Sequence, residues 1–385
     1  MYCKVMQKKI ISIFLCLACI SVVFVSCKKT VEDYDLADKA IVNLDSLEHN
    51  FNFYSMFPYD RMVFLELTSD SRVADINRIY AIDSLFIVWD QKSDAVFVFN
   101  DKGKFLYRIG DKGHTEKEYA SINDVYVDQQ NKQVYLLDNA SHKIQCFGLE
   151  GSYMRTIRTK EWALGFAVDE DYIWLESDGQ NQSSALLLKT DAKSGDVIET
   201  YFPMLNDGRV PIKSEKTFFA DAEGDIFFCS PYLNSIYKIK DGEIAPLLTL
   251  DFGSDGLDDS DLTSEAYIST ISGKNYIGNI GDVFLCKDNL FISFQRLNDG
   301  IIEKYNALYS LASKELHIYD DSLLHDFQLS IFPSTNIVGV GKHSIIYSID
   351  PSLYPDESVA GLPDDKYNTK DKYQMNPVLV IYDVN

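Results

Sequence analysis

The chain is poor in positive charge and, beyond its first residues, in cysteine. Lysine and arginine total 36 against 58 aspartates and glutamates, giving a net charge of −22, and the carboxylates are scattered rather than gathered in one tail. Such a surface repels a polyanion, which excludes nucleic acid as a partner, and it offers nothing to anionic lipid headgroups. Of seven cysteines, Cys3, Cys16, Cys19 and Cys27 crowd into the N-terminal leader. The remaining Cys146, Cys229 and Cys286 are odd in number, widely spaced, without a CxxC pair, and each sits in an apolar strand-like run. They read as buried free thiols, which excludes a disulfide framework and a zinc centre. Catalytic signatures are missing too: the GxSxG, HExxH, GxGxxG and P-loop patterns do not occur. Asp251-Phe252-Gly253 has no accompanying glycine-rich loop or HRD segment, and the stretch from Asp251 carries Leu262 where an EF-hand needs glutamate.

Long apolar runs are also scarce, with one exception. Ile10 to Val25 is almost unbroken and follows Lys4, Lys8 and Lys9. Sixteen residues reach only ~24 Å as a helix, short of a ~30 Å hydrocarbon core, so a signal-peptide core fits better than a membrane span. The run closes with Phe24-Val25-Ser26-Cys27, which resembles the lipobox of bacterial lipoproteins, with Phe24 where that pattern prefers leucine. By that resemblance, residues 1–26 are a lipoprotein signal peptide, cleavage precedes Cys27, and the Cys27 thiol carries the lipid. A plain secretory peptide with an incidental cysteine is the alternative. Residues 27–50, with Glu32, Asp33, Asp35 and Asp38, are expected to form a flexible acidic tether.

From residue 51 onward the sequence is rich rather than poor. Apolar residues make up 46% of the chain and aromatics 13%, enough to build a core and too much for disorder. The body is periodic. Asp90 and Asp138 lie 48 residues apart, and the same offset relates Val96 to Ile144, Phe99 to Phe147, Gly103 to Gly151 and Ile109 to Ile157. Five coincidences at one spacing mark an internal repeat. Within a unit the period is two: Arg78 to Ile82, Leu85 to Trp89, Ala95 to Phe99 and Phe105 to Ile109 are short β-branched and aromatic runs. Asp83-Ser84, Lys92-Ser93-Asp94 and Asn100-Asp101-Lys102-Gly103 separate them as turns. Four antiparallel strands in such a unit make a propeller blade, and no helical stretch is present to cross over a parallel sheet. Weaker copies follow at 163–202, 217–250 and 281–319. A last unit, Asn336-Val340, Ser344-Ile349 and Pro377-Val384, lacks its fourth strand, which Met62 to Leu67 is expected to supply. The expected fold is therefore all-β: residues 51–385 as a six-bladed β-propeller of four-stranded antiparallel blades, closed by an N-terminal strand completing the last blade.

The chain resembles the six-bladed propeller lipoproteins of gut Gram-negative anaerobes, which are related to NHL-repeat propellers. The resemblance covers roughly residues 50–385. It is carried by Val63-Phe64-Leu65-Glu66-Leu67, by the run from Val96 through Asn100-Asp101-Lys102-Gly103 to Leu106, by Ile109-Gly110 and Glu118-Tyr119, and by Asn376-Pro377-Val378-Leu379-Val380-Ile381-Tyr382. That family has a Gly-Pro-rich stretch before its Glu-Tyr pair, whereas Asp111 to Lys117 here contains His114 and no proline. The resemblance implies fold and an envelope location rather than an activity.

Alternating strands put the loops of a blade on two faces. The long connections Pro203 to Lys216, Asp251 to Ile280, Leu297 to Tyr305, Asp320 to Thr335 and Asp350 to Met375 all map to one of them, where loops of that length tend to be functional. His114, His142 and His325 map there as well, but without the local spacing of metal ligands, and read as solvated side chains. Trp162 could stack on a sugar or a peptide, or serve as a rim aromatic. Asn77, Asn123, Asp124, Asp282 and Asn336 start inner strands beside the channel. They could hold Ca²⁺ as in six-bladed lactonases, or simply line a wet channel. The leading expectation is a monomeric, lipid-anchored protein of the outer membrane or cell surface, binding a glycan, a peptide or another envelope protein, with no cofactor. The alternative is a metal-dependent hydrolase or lactonase.

Overall fold

Turn chemistry decides where each strand stops. In the first blade, Arg78–Ile82, Leu85–Asp90, Ala95–Asn100 and Phe105–Arg108 pair antiparallel in chain order. Asp83 (φ 53°) turns the first hairpin. In the last, the Asn100 side chain accepts from the Lys102 and Lys104 amides, and Gly103 (φ +80°) completes the reversal. The 48-residue echo has a structural cause. Asp90 accepts from the Ser93 amide of its own turn at 3.0 Å and from the Ala74 amide of the incoming segment at 2.6 Å. Asp138 does the same with Ser141 at 3.1 Å and Ala120 at 2.8 Å. Both are fully buried, so each repeat keeps a carboxylate that satisfies amides otherwise orphaned.

The computed structural model describes residues 37–384 except 50, 52, 178–184, 204–215, 222, 232, 257–274, 279, 321–336 and 350–374. Within them the architecture is a β-propeller. Asp124–Asp128 to Tyr153–Arg158 and Gly165–Asp169 to Val197–Pro203 each form a four-stranded meander. The next blade runs from Phe218–Ala220 to Glu243–Asp251, and the one after from Val283–Cys286 to Leu316–Asp320. An eight-stranded sheet unites the first blade with the closing one through a short parallel pairing, Gly339 with Ile79 and Val340 with Tyr80. Apolar faces pack blade on blade around the ring. Trp89 and Val98 lie with Val125 and Leu136; Phe227 and Leu250 with Leu285 and Ile292; Phe284 and Phe291 with Ile345 and Tyr347; and Ile346 and Leu379 with Ile79 and Phe97. Cys146, Cys229 and Cys286 are buried free thiols.

The closing strand is Tyr59–Phe64, which pairs antiparallel with Val378–Asp383 (Met62 opposite Val380, Val63 opposite Leu379). The residues carrying the family resemblance gather at this seam. Asn376, 1% exposed, accepts from the Val73 amide and donates to the Glu66 and Ser71 carbonyls. Glu66 in turn accepts from the Phe105 amide. A Cβ on Gly103 would lie 2.1 Å from the Phe64 carbonyl oxygen, so the seam closes only over a glycine.

Two expectations need correction. The tether does not extend to residue 50. Asp38–Ile41 adds a fifth, parallel strand beside Glu243–Asp251, and Asp38 and Lys39 pair with Lys314 and Asp251. Phe51, Phe53 and Phe57 then bury against Phe291, Tyr319, Tyr347 and Tyr382. Three nearly buried phenylalanines contribute about 2 kcal/mol each, enough to hold a strap that its acidic composition masks. Nor is Leu297 to Tyr305 a long loop. Asn289–Asn298 and Ile301–Ser310 pair over their full length, closed by a two-residue turn at Asp299 (φ 49°) and Gly300 (φ +80°). Asp-Gly with two positive φ angles is a type I′ turn, which continues the strand twist. The polar Gln295, Arg296 and Asn298 disguised that strand.

Candidate functional site

The innermost strands neighbour one another around the axis, and their starting residues meet there. Arg78 Nη1 lies 3.6 Å from Asp124 Oδ1 and donates to the Tyr80 hydroxyl at 3.0 Å and the Val125 carbonyl at 3.3 Å, reaching from the first blade to the second. Asp124 Oδ2 accepts from the Phe166 amide of the next blade at 3.0 Å. Glu176, opposite Gly165, accepts from Ser230 Oγ of the following blade at 3.4 Å. Lys216 Nζ lies 3.7 Å from Asp282 Oδ2 and donates to the Ile337 carbonyl at 3.3 Å, joining that blade to the next two. Gly165 is required: its Cβ would meet Thr217 Oγ1 at 2.7 Å and Asp124 Oδ2 at 3.4 Å. The polar chain thus runs from blade to blade.

Burial sets the electrostatics of this ring. Arg78, Asp124, Glu176 and Lys216 are all buried, and only Asp282 is partly open. Burial alone would weaken the Arg78 guanidinium, but Tyr80 and Asp124 hold it above its ordinary value. Burial pushes the Asp124 carboxyl up, while Arg78 and the Phe166 amide pull it back. Glu176 rises from 4.5 to about 8, chiefly by burial, against hydrogen bonds from Thr217 and Ser230. At neutral pH it holds a proton, and the cations Arg78 and Lys216 face the carboxylates Asp124 and Asp282. Charge at the axis is therefore compensated from within. Burial also pushes the Cys229 thiol well above its ordinary range, so it is no thiolate nucleophile.

The calcium candidates do not form a cage. Asp124 and Asp282 each face a buried cation, and the Asn123 side chain instead accepts from the Asn139 amide at 2.9 Å, shaping a turn. Asn77 donates to Gln91 at 3.3 Å. Asn336 lies outside the described residues. A Ca²⁺ ion takes six to eight oxygens, and among the described residues no three His, Cys, Asp or Glu side chains converge. Sequence reading missed Arg78, Glu176 and Lys216. A charge ending the apolar run Ile173-Trp174-Leu175 was the available signal for Glu176.

On the loop face the structure gathers the segments bearing His114, His142 and Trp162. Glu118 closes the 111–119 loop by accepting from the His114 and Thr115 amides at 3.0 and 2.9 Å, and the Thr115 bonds hold its carboxyl below the ordinary range. Lys143 donates to the Thr115 and Glu118 carbonyls and Gln145 to that of Glu116. Arg158 pairs with Glu116 and reaches the Ser141 carbonyl, beside His142, whose φ of 50° caps a short turn. His114 and His142 are exposed, and Trp162 is 46% exposed. His325 and most of the long connections lie outside the described residues. Farther round, Tyr276–Gly278 pairs with the outer part of the 289–310 hairpin, and Tyr276 and Leu297 pack on the cluster containing Leu233 and Tyr237. The hairpin thus leans over the neighbouring blade with Ile301 and Ile302 at its tip, 65% and 62% exposed.

No curated protein matches the chain. Among solved structures, a Bacteroides fragilis protein whose name describes it as exported superposes with a TM-score of 0.68 at 19% identity, covering 91% of this chain and 99% of that one. A member of the DUF4221 family from Bacteroides vulgatus gives a TM-score of 0.50 at 9% identity over 86% and 98% of the two chains. The β-propeller domain of Swd1 from Myceliophteria thermophila gives 0.41 at 9% identity, over 86% and 100%. Residues 41–383, nearly the whole described body, match one protein family, and the chain belongs to it: Domain of unknown function (DUF4934).

Proposed function

We propose that the protein is an exported, lipid-anchored envelope protein whose six-bladed propeller is a binding or interaction platform, engaging a glycan, a peptide or another envelope protein through the face bearing His114, His142 and Trp162. The observation that carries this is the contrast between axis and face. The axial charges are matched to one another, whereas the loop face exposes an indole beside a rigid set of crosslinked loops. Amphipathic aromatics held on a fixed scaffold are the usual anchors of recognition. The leader ending in Ser26-Cys27 and the likeness to a protein described as exported support the location. The metal-dependent hydrolase alternative loses ground because its two carboxylates are committed to Arg78 and Lys216.

A photo-crosslinking amino acid placed at Trp162 or His142 in cells tests the face, with Asp101 on the opposite side as reference. Discrete adducts from positions 162 and 142 alone are expected. Equal yields from both faces, or adducts only from position 101, refute the assignment. Cys27→Ala abolishes incorporation of radiolabelled fatty acid if the anchor is where we place it.

A further inference from the structure

The end of the 289–310 hairpin carries an exposed isoleucine on each of its sides. Consecutive strand residues point to opposite faces. The adjacent Ile301 and Ile302 therefore project in opposite directions, yet both are almost two-thirds exposed. One-sided docking on a protein would need a single apolar face, so a tip with an isoleucine on either side suits shallow immersion. Behind the tip come Arg296, Glu303, Lys304 and the half-buried Tyr305, a polar collar in which Glu303 lies 3.8 Å from Arg296 and accepts from the Tyr305 hydroxyl at 3.0 Å. Asp299, in the turn itself, folds back on Asn275: its amide donates to Asn275 Oδ1 at 2.8 Å, and its carboxylate accepts from Asn275 Nδ2 at 3.4 Å. A carboxylate there limits immersion to headgroup depth.

The length of chain before the first strand brings a bilayer within reach. Ten residues separate Cys27 from Asp38, a span of at most about 35–40 Å fully extended. Because the strap is docked from Asp38 onward, that reach starts from the outer edge of the 218–251 blade. The strap strand runs parallel to Glu243–Asp251 and ends at Ile41, 71% exposed, on the side where the hairpin projects. Phe252, next to Ile41's partner Asp251, lies 5.6 Å from Phe294 midway along the hairpin. The tether joins at Asp38, which pairs with Lys314 at the foot of the hairpin, so about 30 Å of its length runs alongside the Ile301–Ser310 strand before the lipid reaches the depth of the tip.

From this placement we infer that the tip Asp299–Ile302 is a membrane-contacting finger, which turns the rim of the 218–251 and 283–320 blades toward the lipid surface. The inference rests on lipid attachment at Cys27, because two isoleucines alone give only marginal binding and act as the second of two signals. It also places the partner of the loop face at the membrane surface.

The test uses the full-length lipidated protein on zwitterionic phosphatidylethanolamine–phosphatidylcholine vesicles, with an environment-sensitive fluorophore on Ile301→Cys and, as control, on Asp101→Cys. Flotation first reports anchoring. On floated protein, the 301 label is expected to shift to the blue and to be quenched by shallow doxyl lipid, and the 101 label to do neither. Adding Ile302→Asp should abolish the shift without affecting flotation. Floated protein with an unshifted 301 label overturns this inference alone. Protein that does not float overturns the anchor and the inference with it.

Discussion

Replacing Glu176 with glutamine should stabilise the protein, and more so as pH rises. Unfolded, a glutamate titrates near its ordinary 4.5; in the folded ring Glu176 titrates at about 8 because burial penalises its charge more than Thr217 and Ser230 relieve it. The folded pKa is the higher one, so folding is favoured below pH 4.5, and that stability is lost as pH climbs to 8. At 1.36 kcal/mol per unit, the group withholds about 3 kcal/mol at pH 7 and about 5 kcal/mol above pH 8. Glutamine presents the neutral shape at every pH and avoids this cost. For a body of about 350 residues the gain at pH 7 corresponds to roughly 5 °C in melting temperature. Glu118, Asp191, Asp196 and Asp251, held below their ordinary values, act on the acid side, while Asp124 and Asp221, pushed up by burial, are common to both proteins, so the comparison isolates Glu176. Denaturant unfolding of wild type and Glu176→Gln, followed by tryptophan fluorescence at pH 5, 7 and 9, reads the effect directly, since Trp174 is fully buried two residues away. The curves should nearly coincide at pH 5 and diverge above it. Parallel pH slopes, or a variant less stable than wild type at pH 9, would refute the reasoning.

The closing seam and the strap give two further outcomes. Gly103→Ala combines a positive φ with a Cβ 2.1 Å from the Phe64 carbonyl, so it should cost at least about 2 kcal/mol in denaturant midpoint measurements; a neutral effect would mean that the seam does not close over this turn. Phe53→Ala removes a ring packed on Phe57, Phe291, Tyr319, Tyr347 and Tyr382. A loss of about 3–5 kcal/mol and new proteolytic cleavage between residues 38 and 58 are expected, and unchanged protease resistance would show that the strap is held elsewhere.

Much of the propeller was legible because its determinants are local. Strand alternation from Leu85 to Asp90, the Asn100-to-Gly103 turn and the aspartates at 90 and 138 each act within one or two strands, so period and spacing report them. The pairing of residues 62–64 with 378–380 was foreseeable from a missing strand and an unpaired one. The strap was not, because Phe51, Phe53 and Phe57 follow an acidic stretch and find their partners more than two hundred residues away. Nor was the finger, whose Asp-Gly turn was overshadowed by polar neighbours.

Sequence by itself determined the class of fold, the blade repeat, the closing strand and the buried thiols, since alternation, turn residues and apolar content act on neighbouring residues. Tertiary structure alone decided that the axial carboxylates meet Arg78 and Lys216, that Glu176 keeps its proton, and that Ile301 and Ile302 stand at a tip. Those properties depend on burial and on charges contributed by different blades, and a residue's solvent and its charged neighbours exist only once the ring has closed.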